Sequence, residues 1–343
     1  MQLLWLRFVQ FYLTVGFKFY YKNFDVTYLD KIPKNKAVIY LSNHQNALLD
    51  PLLITINSTR KNYFLTRAAV FKNPTVAKIL HSLQMLPIYR MVDGADTIQK
   101  NKAIFTTCSN LLSKKKSIIL FPEGSHNLKR KIRPLKKGFL RIIEETLQTY
   151  PNTEIVIIPI GVNYQNPTEW GDSMRVCFGN HISANNYWSD NQLNFNQLSK
   201  DVSLKLKHLS THIESISEYD STINKLAELK VDYTNPVEVN NCLHNSFNYS
   251  GKKVKTATGL YSVFQFLVKS FYFLPYFIWR KFGLPSIKED EFIATFRFVI
   301  IIFVSPIYLL LLTLILSLLF GKTIGLTVLG IGILLPLITL RIK

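Results

Sequence analysis

The sequence predicts an α/β domain whose sheet is covered by helices on both faces, with an interfacial membrane helix before it and a transmembrane helical hairpin after it. Three observations carry this. From Val26 to Phe178, short apolar runs alternate with segments of helical periodicity, the order in which strands and crossover helices build such a sheet. Met1 to Tyr21 is apolar except for Arg7, Gln10, Thr14 and Lys18, which recur at helical spacing and make one narrow polar stripe. At the other end, the uncharged runs Phe298 to Phe320 and Ile324 to Leu340 are separated only by Gly321-Lys322-Thr323. Each approaches or exceeds the roughly 20 residues that a bilayer-crossing helix needs.

The first segment suits a helix lying in the membrane interface, with Trp5, Phe8, Phe11, Tyr12, Val15 and Phe19 at the acyl boundary. A signal peptide is the rival reading, and the lack of a small-residue cleavage site after the apolar part argues against it. Strands are then expected at Val26 to Leu29, Ala37 to Leu41, Tyr63 to Leu65, Met85 to Tyr89, Ser117 to Phe121, Glu154 to Val162 and Arg175 to Phe178. Helices are expected from Leu52, over Ala68 to Leu83, Ala95 to Leu112 and Gly138 to Gln148. Leu198, Val202, Leu206, Leu209, Ile213, Ile216, Ile223 and Leu226 keep a helical period and predict one long amphipathic helix closing the domain. The Asn- and Ser-rich stretch after it reads as a linker, and Leu260 to Ile278 as a membrane-interface or re-entrant segment.

The expected division is therefore an interfacial helix over 1–24, a catalytic-size domain over 25–232, a linker over 233–256, an interface segment over 257–297 and the hairpin over 298–343. The hairpin runs show no polar face, which sets them apart from a pair of soluble core helices. Arg280, Lys281, Lys288 and Arg297 precede it, Arg341 and Lys343 follow it, and Lys322 alone lies between. By the positive-inside rule both flanks, and the domain with them, face the cytoplasm.

The 343 residues carry a formal charge of +19, with 48% hydrophobic and 13% aromatic residues. That charge admits a nucleic-acid partner, but no aromatic-basic module of that kind is present, and anionic lipid and an anionic substrate account for it better. Cys108, Cys177 and Cys242 are scattered and odd in number, with no pair at metal spacing, so they read as buried thiols in a reduced compartment and no metal is expected. His208 and His212 stand four apart, yet Leu209 occupies the place where a zinc protease needs glutamate, so they read as surface histidines.

The chemistry concentrates in Ser42-Asn43-His44-Gln45-Asn46-Ala47-Leu48-Leu49-Asp50-Pro51, which follows an apolar run. A neutral imidazole can take a proton from an alcohol near neutral pH, and a carboxylate on its other nitrogen fixes the tautomer and stabilises the imidazolium. Asp50-Pro51 also has the form of a helix cap followed by proline at the first helical position. Ser125 sits in Glu-Gly-Ser-His and lacks the glycine two positions later that a nucleophile elbow requires.

Four segments in order resemble the glycerophospholipid acyltransferase family, of the glycerol-3-phosphate and 1-acylglycerol-3-phosphate acyltransferase type. They are Asn43-His44 with Asp50; Leu86-Pro87-Ile88-Tyr89-Arg90 with Asp93-Gly94; Phe121-Pro122-Glu123-Gly124; and Ile158-Pro159-Ile160-Gly161-Val162. Five residues separate His44 from Asp50, where the commonest form of the family has four, and this resembles the yeast-type glycerol-3-phosphate acyltransferase subset. The extra residue must bulge or shift the turn. The resemblance implies a glycerol-3-phosphate acyltransferase-like mixed sheet, with His44 and Asp50 as catalytic residues. It further implies that Arg90, Glu123, Gly124, Ser125, His126 and Lys137 bind the acceptor. His126 stands where the family commonly has an arginine, so part of the phosphate contact is expected to pass to Arg90 and to the run Lys129, Arg130, Lys131, Arg133, Lys136 and Lys137. Lys137-Gly138 opens a helix, and a helix start beside a lysine suits an anion. The implied activity is direct transfer of an acyl group from acyl-CoA or acyl-carrier protein, a co-substrate and not a bound cofactor, to a hydroxyl of glycerol 3-phosphate or 1-acylglycerol 3-phosphate at a lipid membrane. The five-residue spacing slightly favours glycerol 3-phosphate. A catalytically inert lipid-binding protein retaining the fold is the alternative.

Overall fold

The computed structural model describes residues 2–89, 97–255 and 259–343. Helix α1 (Gln2–Tyr20) runs directly into β1 (Tyr21–Tyr28), and β2 (Ala37–Ser42), α2 (Leu49–Asn57), β3 (Asn62–Arg67), α3 (Pro74–Ser82) and β4 (Met85–Ile88) follow. Then come α4 (Thr97–Ser113), β5 (Ser117–Leu120), α5 (Gly138–Thr149), β6 (Ile155–Tyr164), β7 (Asp172–Phe178), β8 (Ile182–Ser183) and the two-residue strands β9 (Trp188–Ser189) and β10 (Gln192–Leu193). The remainder is helical: α6 (Phe195–Leu209), α7 (Tyr219–Glu228), α8 (Pro236–His244), α9 (Gly259–Phe271), α10 (Phe273–Ile278), α11 (Ile293–Val299), α12 (Ser305–Phe320) and α13 (Lys322–Ile342).

The sheet has the order β1-β7-β6-β2-β5-β3-β4, with β8 paired to the start of β6. Its centre is parallel: β2 lies between β6 and β5 and runs with both. Only the β6 pairings to β7 and β8 are antiparallel in this sheet, which makes it mixed, as expected. Every residue of β2 and β6 is buried, the condition for a parallel strand covered on both faces and the reason their sequences read as unbroken apolar runs. The pleat sorts them between two cores. Val38, Tyr40, Ile158, Ile160 and Val162 pack with α1 and α2, whereas Ala37, Ile39, Leu41, Ile155 and Ile157 pack with α4, α5 and α6.

Three expectations about helices change. The helix foreseen over residues 68–83 is a 3-10 turn at Ala68–Phe71 followed by α3. Asn73 divides them, since its side chain caps α3 by accepting from the Thr75 and Val76 amides while Pro74 takes the first turn. The long helix foreseen over residues 198–226 is α6 and α7, separated because the chain turns extended at Ser210. Gly161 brings β6 so close to this break that a Cβ there would stand 1.9 Å from the Leu209 carbonyl oxygen. The stretch foreseen as a linker over 233–256 carries α8, and Tyr233, Val239 and Cys242 join Ile213, Tyr219, Leu226 and Val231 in a small core of their own.

At the carboxyl end, Asp290–Phe320 forms one helical run of 31 residues and α13 returns as its partner, both long and apolar enough to cross a bilayer. Gly321, with φ of 95°, makes the turn between them. The base of this hairpin is part of the domain. Phe298 is buried and stacks on Phe17 of α1 at 4.5 Å between ring centroids, and Ala294 and Ile302 belong to the same core as Tyr40 and Ile160. Helix α1 is accordingly two-sided along its length: Trp5, Phe8 and Phe11 are exposed, as an interfacial helix requires, while Leu13, Phe17 and Tyr20 are buried against the hairpin base and the sheet.

Replacing Phe298 by alanine should therefore destabilise the whole domain by about 3–5 kcal/mol, the cost of emptying a buried aromatic site. Denaturant unfolding in detergent, followed through the domain's tryptophans, would measure it. An unchanged midpoint would mean that the hairpin is an independent anchor.

Candidate active site

Strands β2, β5 and β6 run parallel and end together, so the residues that follow or finish them meet at one edge of the sheet. This is the edge at which open α/β sheets place their ligand sites. His44 follows β2 by two residues, Phe121 to Glu123 follow β5, and Tyr164 ends β6.

The turn after β2 is fixed first. The Asn43 side chain accepts from the Val162 amide at 2.8 Å and donates to the Val162 carbonyl at 2.9 Å, which ties the end of β2 to β6. Ala47 takes a φ of 27°, and this is how the extra residue between His44 and Asp50 is accommodated. Asp50 then lies inside the first turn of α2 and caps nothing in that helix. Its carboxylate reaches back, and Oδ2 accepts from His44 Nδ1 and from the amides of Gln45 and Asn46, each at 2.8 Å. The other oxygen, Oδ1, accepts from the Tyr164 hydroxyl at 2.6 Å. Asp50 is wholly buried, and four donors compensate its charge.

With Nδ1–H committed to Asp50, Nε2 is the nitrogen that His44 keeps available as a base. The imidazole stacks on Phe121 at 3.9 Å between centroids, which fixes its plane, and its side chain is 14% exposed. It lines a cleft together with Asn43, Gln45, Glu123, Lys129, Arg130, Lys131, Ser210 and Thr211.

The loop after β5 is held as a unit. Glu123 Oε2 accepts from the Arg133 amide at 3.2 Å and from Arg133 Nε at 2.7 Å, and Arg133 Nη1 donates to Ser125 Oγ at 2.8 Å. Glu123 thus anchors the loop through Oε2, and the Ser125 hydroxyl is engaged with a guanidinium. Gly124, at φ of 80°, makes the turn that brings the Lys136 side chain against it. The Asn127 amide donates to the His44 carbonyl at 2.9 Å, joining this loop to the catalytic turn.

The His126 ring stands edge-on to His44 at 5.6 Å. Burial and the neighbouring His44 lower its pKa, so near neutral pH it is an uncharged neighbour. Its other contacts come from the base of the hairpin: Phe292 at 4.9 Å between centroids and Glu289 at 3.5 Å. In the same region the Leu48 amide donates to Thr295 Oγ1 at 3.3 Å, and Arg297 donates to the Thr168 carbonyl at 2.7 Å. Arg130, in contrast, is a buried cation. Its guanidinium stacks on Tyr233 at 3.5 Å and donates to the Gln165 carbonyl at 2.9 Å, and no carboxylate among the described residues is within ion-pair distance. Ser210 Oγ and Thr211 Oγ1 beside it are buried without a partner among the described residues.

Of the residues expected at the site, His44, Asp50, Glu123, Ser125 and His126 come together. Lys137 sits exposed at the start of α5 and does not line the cleft. Arg90, with Asp93 and Gly94, lies outside the described residues. His212 differs from its expectation: it lies beyond α6 and is mostly buried, accepting from the Ile132 amide at 3.0 Å and bonding Glu214 at 2.5 Å. The three cysteines are free and buried, and burial pushes Cys108 up to about 12 and Cys177 to about 11, so neither thiol offers a nucleophile. Tyr164 and Phe292 were not foreseen as site residues. Tyr164 had a signal, since it stands in phase with Ile158, Ile160 and Val162 on one face of β6 and interrupts that face with a hydroxyl.

Residues 23–163 match the family model described as Acyltransferase. A chloroplastic 1-acyl-sn-glycerol-3-phosphate acyltransferase of Brassica napus is 27% identical over 128 residues, 37% of this chain and 35% of that protein. A chloroplastic enzyme of the same description from Arabidopsis thaliana is 26% identical over 119 residues, 34% of this chain and 32% of that protein. The chain thus spans about a third of the length of these curated relatives. The crystal structure of the 1-acyl-sn-glycerophosphate acyltransferase from Thermotoga maritima aligns with a TM-score of 0.39 at 18% identity, covering 54% of this chain and 70% of that one.

Close to this network, burial pushes the Asp172 carboxyl up to about 7, and its Oδ2 has no partner among the described residues. A carboxyl whose pKa is higher in the folded than in the unfolded chain stabilises the fold fully below the unfolded value, near 4, and loses that contribution as pH rises to about 7. Thermal unfolding between pH 4 and 8 should therefore show stability falling across this window, and Asp172→Asn should flatten the fall. A slope unchanged by the substitution would assign the effect elsewhere.

Proposed function

We propose an activity for this chain, which belongs to the glycerophospholipid acyltransferase family: it is a membrane-bound O-acyltransferase that moves a fatty acyl group from an acyl thioester to the free hydroxyl of 1-acylglycerol 3-phosphate, giving phosphatidate. The observation that carries this reading is the bond from His44 Nδ1–H to the fully buried Asp50, which leaves Nε2 as the base at the cleft. His44 Nε2 takes the proton of the acceptor hydroxyl as the oxygen attacks the thioester carbonyl. The carbon–sulfur bond then breaks and the departing thiolate receives the proton from the imidazolium. No acyl-enzyme forms, in keeping with the engaged Ser125 and the buried thiols.

The acceptor's phosphate is assigned to the cationic wall of the same cleft, Lys129, Arg130 and Lys131. His126 lacks the charge for that role near neutral pH, and Arg90 enters only through the family resemblance, following β4 by two residues. The names of the two plant relatives favour the acylated acceptor over glycerol 3-phosphate, against the slight preference drawn from the His44 to Asp50 spacing. The hairpin base supports a lipid substrate, because Phe292 and Thr295, in the first turns of a bilayer-length helix, and Glu289 just before it reach His126 and the turn after β2. Acyl-CoA or acyl-carrier protein supplies the acyl group.

His44→Ala should lower turnover by roughly a hundredfold to ten-thousandfold, the usual worth of a general base. Purified protein in lipid vesicles, given labelled acyl-CoA and each acceptor in turn, tests both parts of the proposal. Near-normal turnover by the variant would overturn the mechanism. Product from glycerol 3-phosphate alone would overturn the choice of acceptor.

Cytoplasmic placement of the domain is proposed from the basic residues beside the hairpin. A cysteine replacing Lys322 should react with an impermeant maleimide from the non-cytoplasmic side only, and one replacing Lys288 from the cytoplasmic side only. Both positions are exposed and the native cysteines are buried, so a reversed pattern would reverse the topology.

A further inference from the structure

We propose that Tyr164 is a positioning residue whose hydroxyl, bound to Asp50 Oδ1, sets how much negative charge Asp50 presents to His44 and thereby the pH at which the base becomes active. This rests on the reading of His44 as general base.

The two oxygens of Asp50 are used unequally. Oδ2 takes His44 and the Gln45 and Asn46 amides, and those amides belong to the turn that carries His44. Oδ1 takes the Tyr164 hydroxyl, from a different element. The amides hold the carboxylate to the turn, and Tyr164 fixes the rotation of the carboxylate about its own axis, hence the direction of the bond to His44. At 2.6 Å with an ionised acceptor this is a charge-assisted bond, which draws density from the carboxylate. Less charge at Asp50 means a less stabilised imidazolium at His44.

The ring of Tyr164 packs on Tyr21 at 6.2 Å between centroids and is fully buried, so removing only the hydroxyl leaves the packing intact. The other groups facing the dyad are few. His126, with Glu289 and Glu291 behind it, stands at the His44 side, and Lys129, Arg130, Lys131 and Glu123, the last paired with Arg133, line the cleft. Tyr21 and, beyond it, Asp172 lie on the Asp50 side. Of these, Tyr21 also interacts with the Tyr164 hydroxyl, and the others are left unaltered by a change confined to it.

The test uses the full-length protein in vesicles and measures kcat and kcat/KM against pH for Tyr164→Phe, Asp50→Asn, their double variant and the protein with 3,5-difluorotyrosine at 164. Tyr164→Phe should lower kcat by about ten- to a hundredfold, the scale of a lost hydrogen bond to a charged group, with both KM values little changed. It should also move the acidic limb of kcat/KM to higher pH, whereas the fluorinated side chain, a stronger donor of nearly the same shape, should move it to lower pH. In the Asp50→Asn background the Tyr164→Phe change should add little further loss. A limb that stays in place in both Tyr164 variants, a loss carried by KM, or additive losses in the double variant would overturn the proposal. If Tyr164→Phe does not fold, the fluorinated protein decides alone through its limb. Failure of the underlying reading looks different: there His44→Ala keeps its turnover, whereas an inert Tyr164→Phe beside a dead His44→Ala overturns only the role of Tyr164.

Discussion

A carboxylate with no solvent access is the constraint around which this domain is arranged. Removing an ionised group such as Asp50 from water costs several kcal/mol unless donors replace the lost hydration, and here the donors come from two elements: His44, Gln45 and Asn46 in the turn after β2, and Tyr164 at the end of β6. Meeting that demand forces α2 to begin against the catalytic turn and β6 to end beside it. The Asn43 side chain, bonded both ways to Val162, completes the tie on the backbone side. The geometry that orients His44 is thus the same geometry that makes burial of Asp50 tolerable.

The second consequence concerns the apolar hairpin. Its first turns supply Phe292 to His126 and Thr295 to the turn after β2, Glu289 just before them reaches His126, and Phe298 closes the core beneath α1. An anchor joined through a flexible linker would leave the distance between bilayer and active site unset. Here that distance is fixed by side-chain packing. On the proposed reading, in which the acceptor's acyl chain stays in lipid while its hydroxyl reaches His44, a fixed height above the bilayer does part of the positioning that catalysis requires.

Much of this was legible in the sequence because it rests on periodicity. The β2 and β6 runs, buried on both faces, could be nothing but central strands, and the hairpin announced itself by length and lack of charge. The pairing of His44 with Asp50 followed from residue type and spacing. The failures share one cause, which is that local pattern does not report tertiary contacts. The apolar period from Leu198 to Leu226 continues across the break at Ser210, where close approach of Gly161 to Leu209 and the extended backbone end α6. The Asn-rich stretch after Lys230 looked like a linker because it has few apolar residues, yet Tyr233 is enough to receive Arg130 and close a small core. The same holds for Arg133, whose contact with Glu123 at the cleft only the fold shows.

The distribution of charge in the cleft brings these strands of argument together. Arg130 and its neighbours Lys129 and Lys131 lie on one wall, the dyad on another, and Glu123, the carboxylate on the cleft wall, is committed to Arg133. A buried guanidinium stacked on Tyr233, and bonded among the described residues to Tyr233 and the Gln165 carbonyl, has further donors to offer an anion. Such a wall suits an anion, and His126 beside the dyad is held neutral by burial and by the neighbouring His44. On the proposed reading, an anionic headgroup entering the cleft would offset the wall's charge at the step where the hydroxyl gives up its proton. On the proposed reading, the acceptor's phosphate does more than bind: its charge helps create the protonated state of His44 that the leaving thiolate then needs.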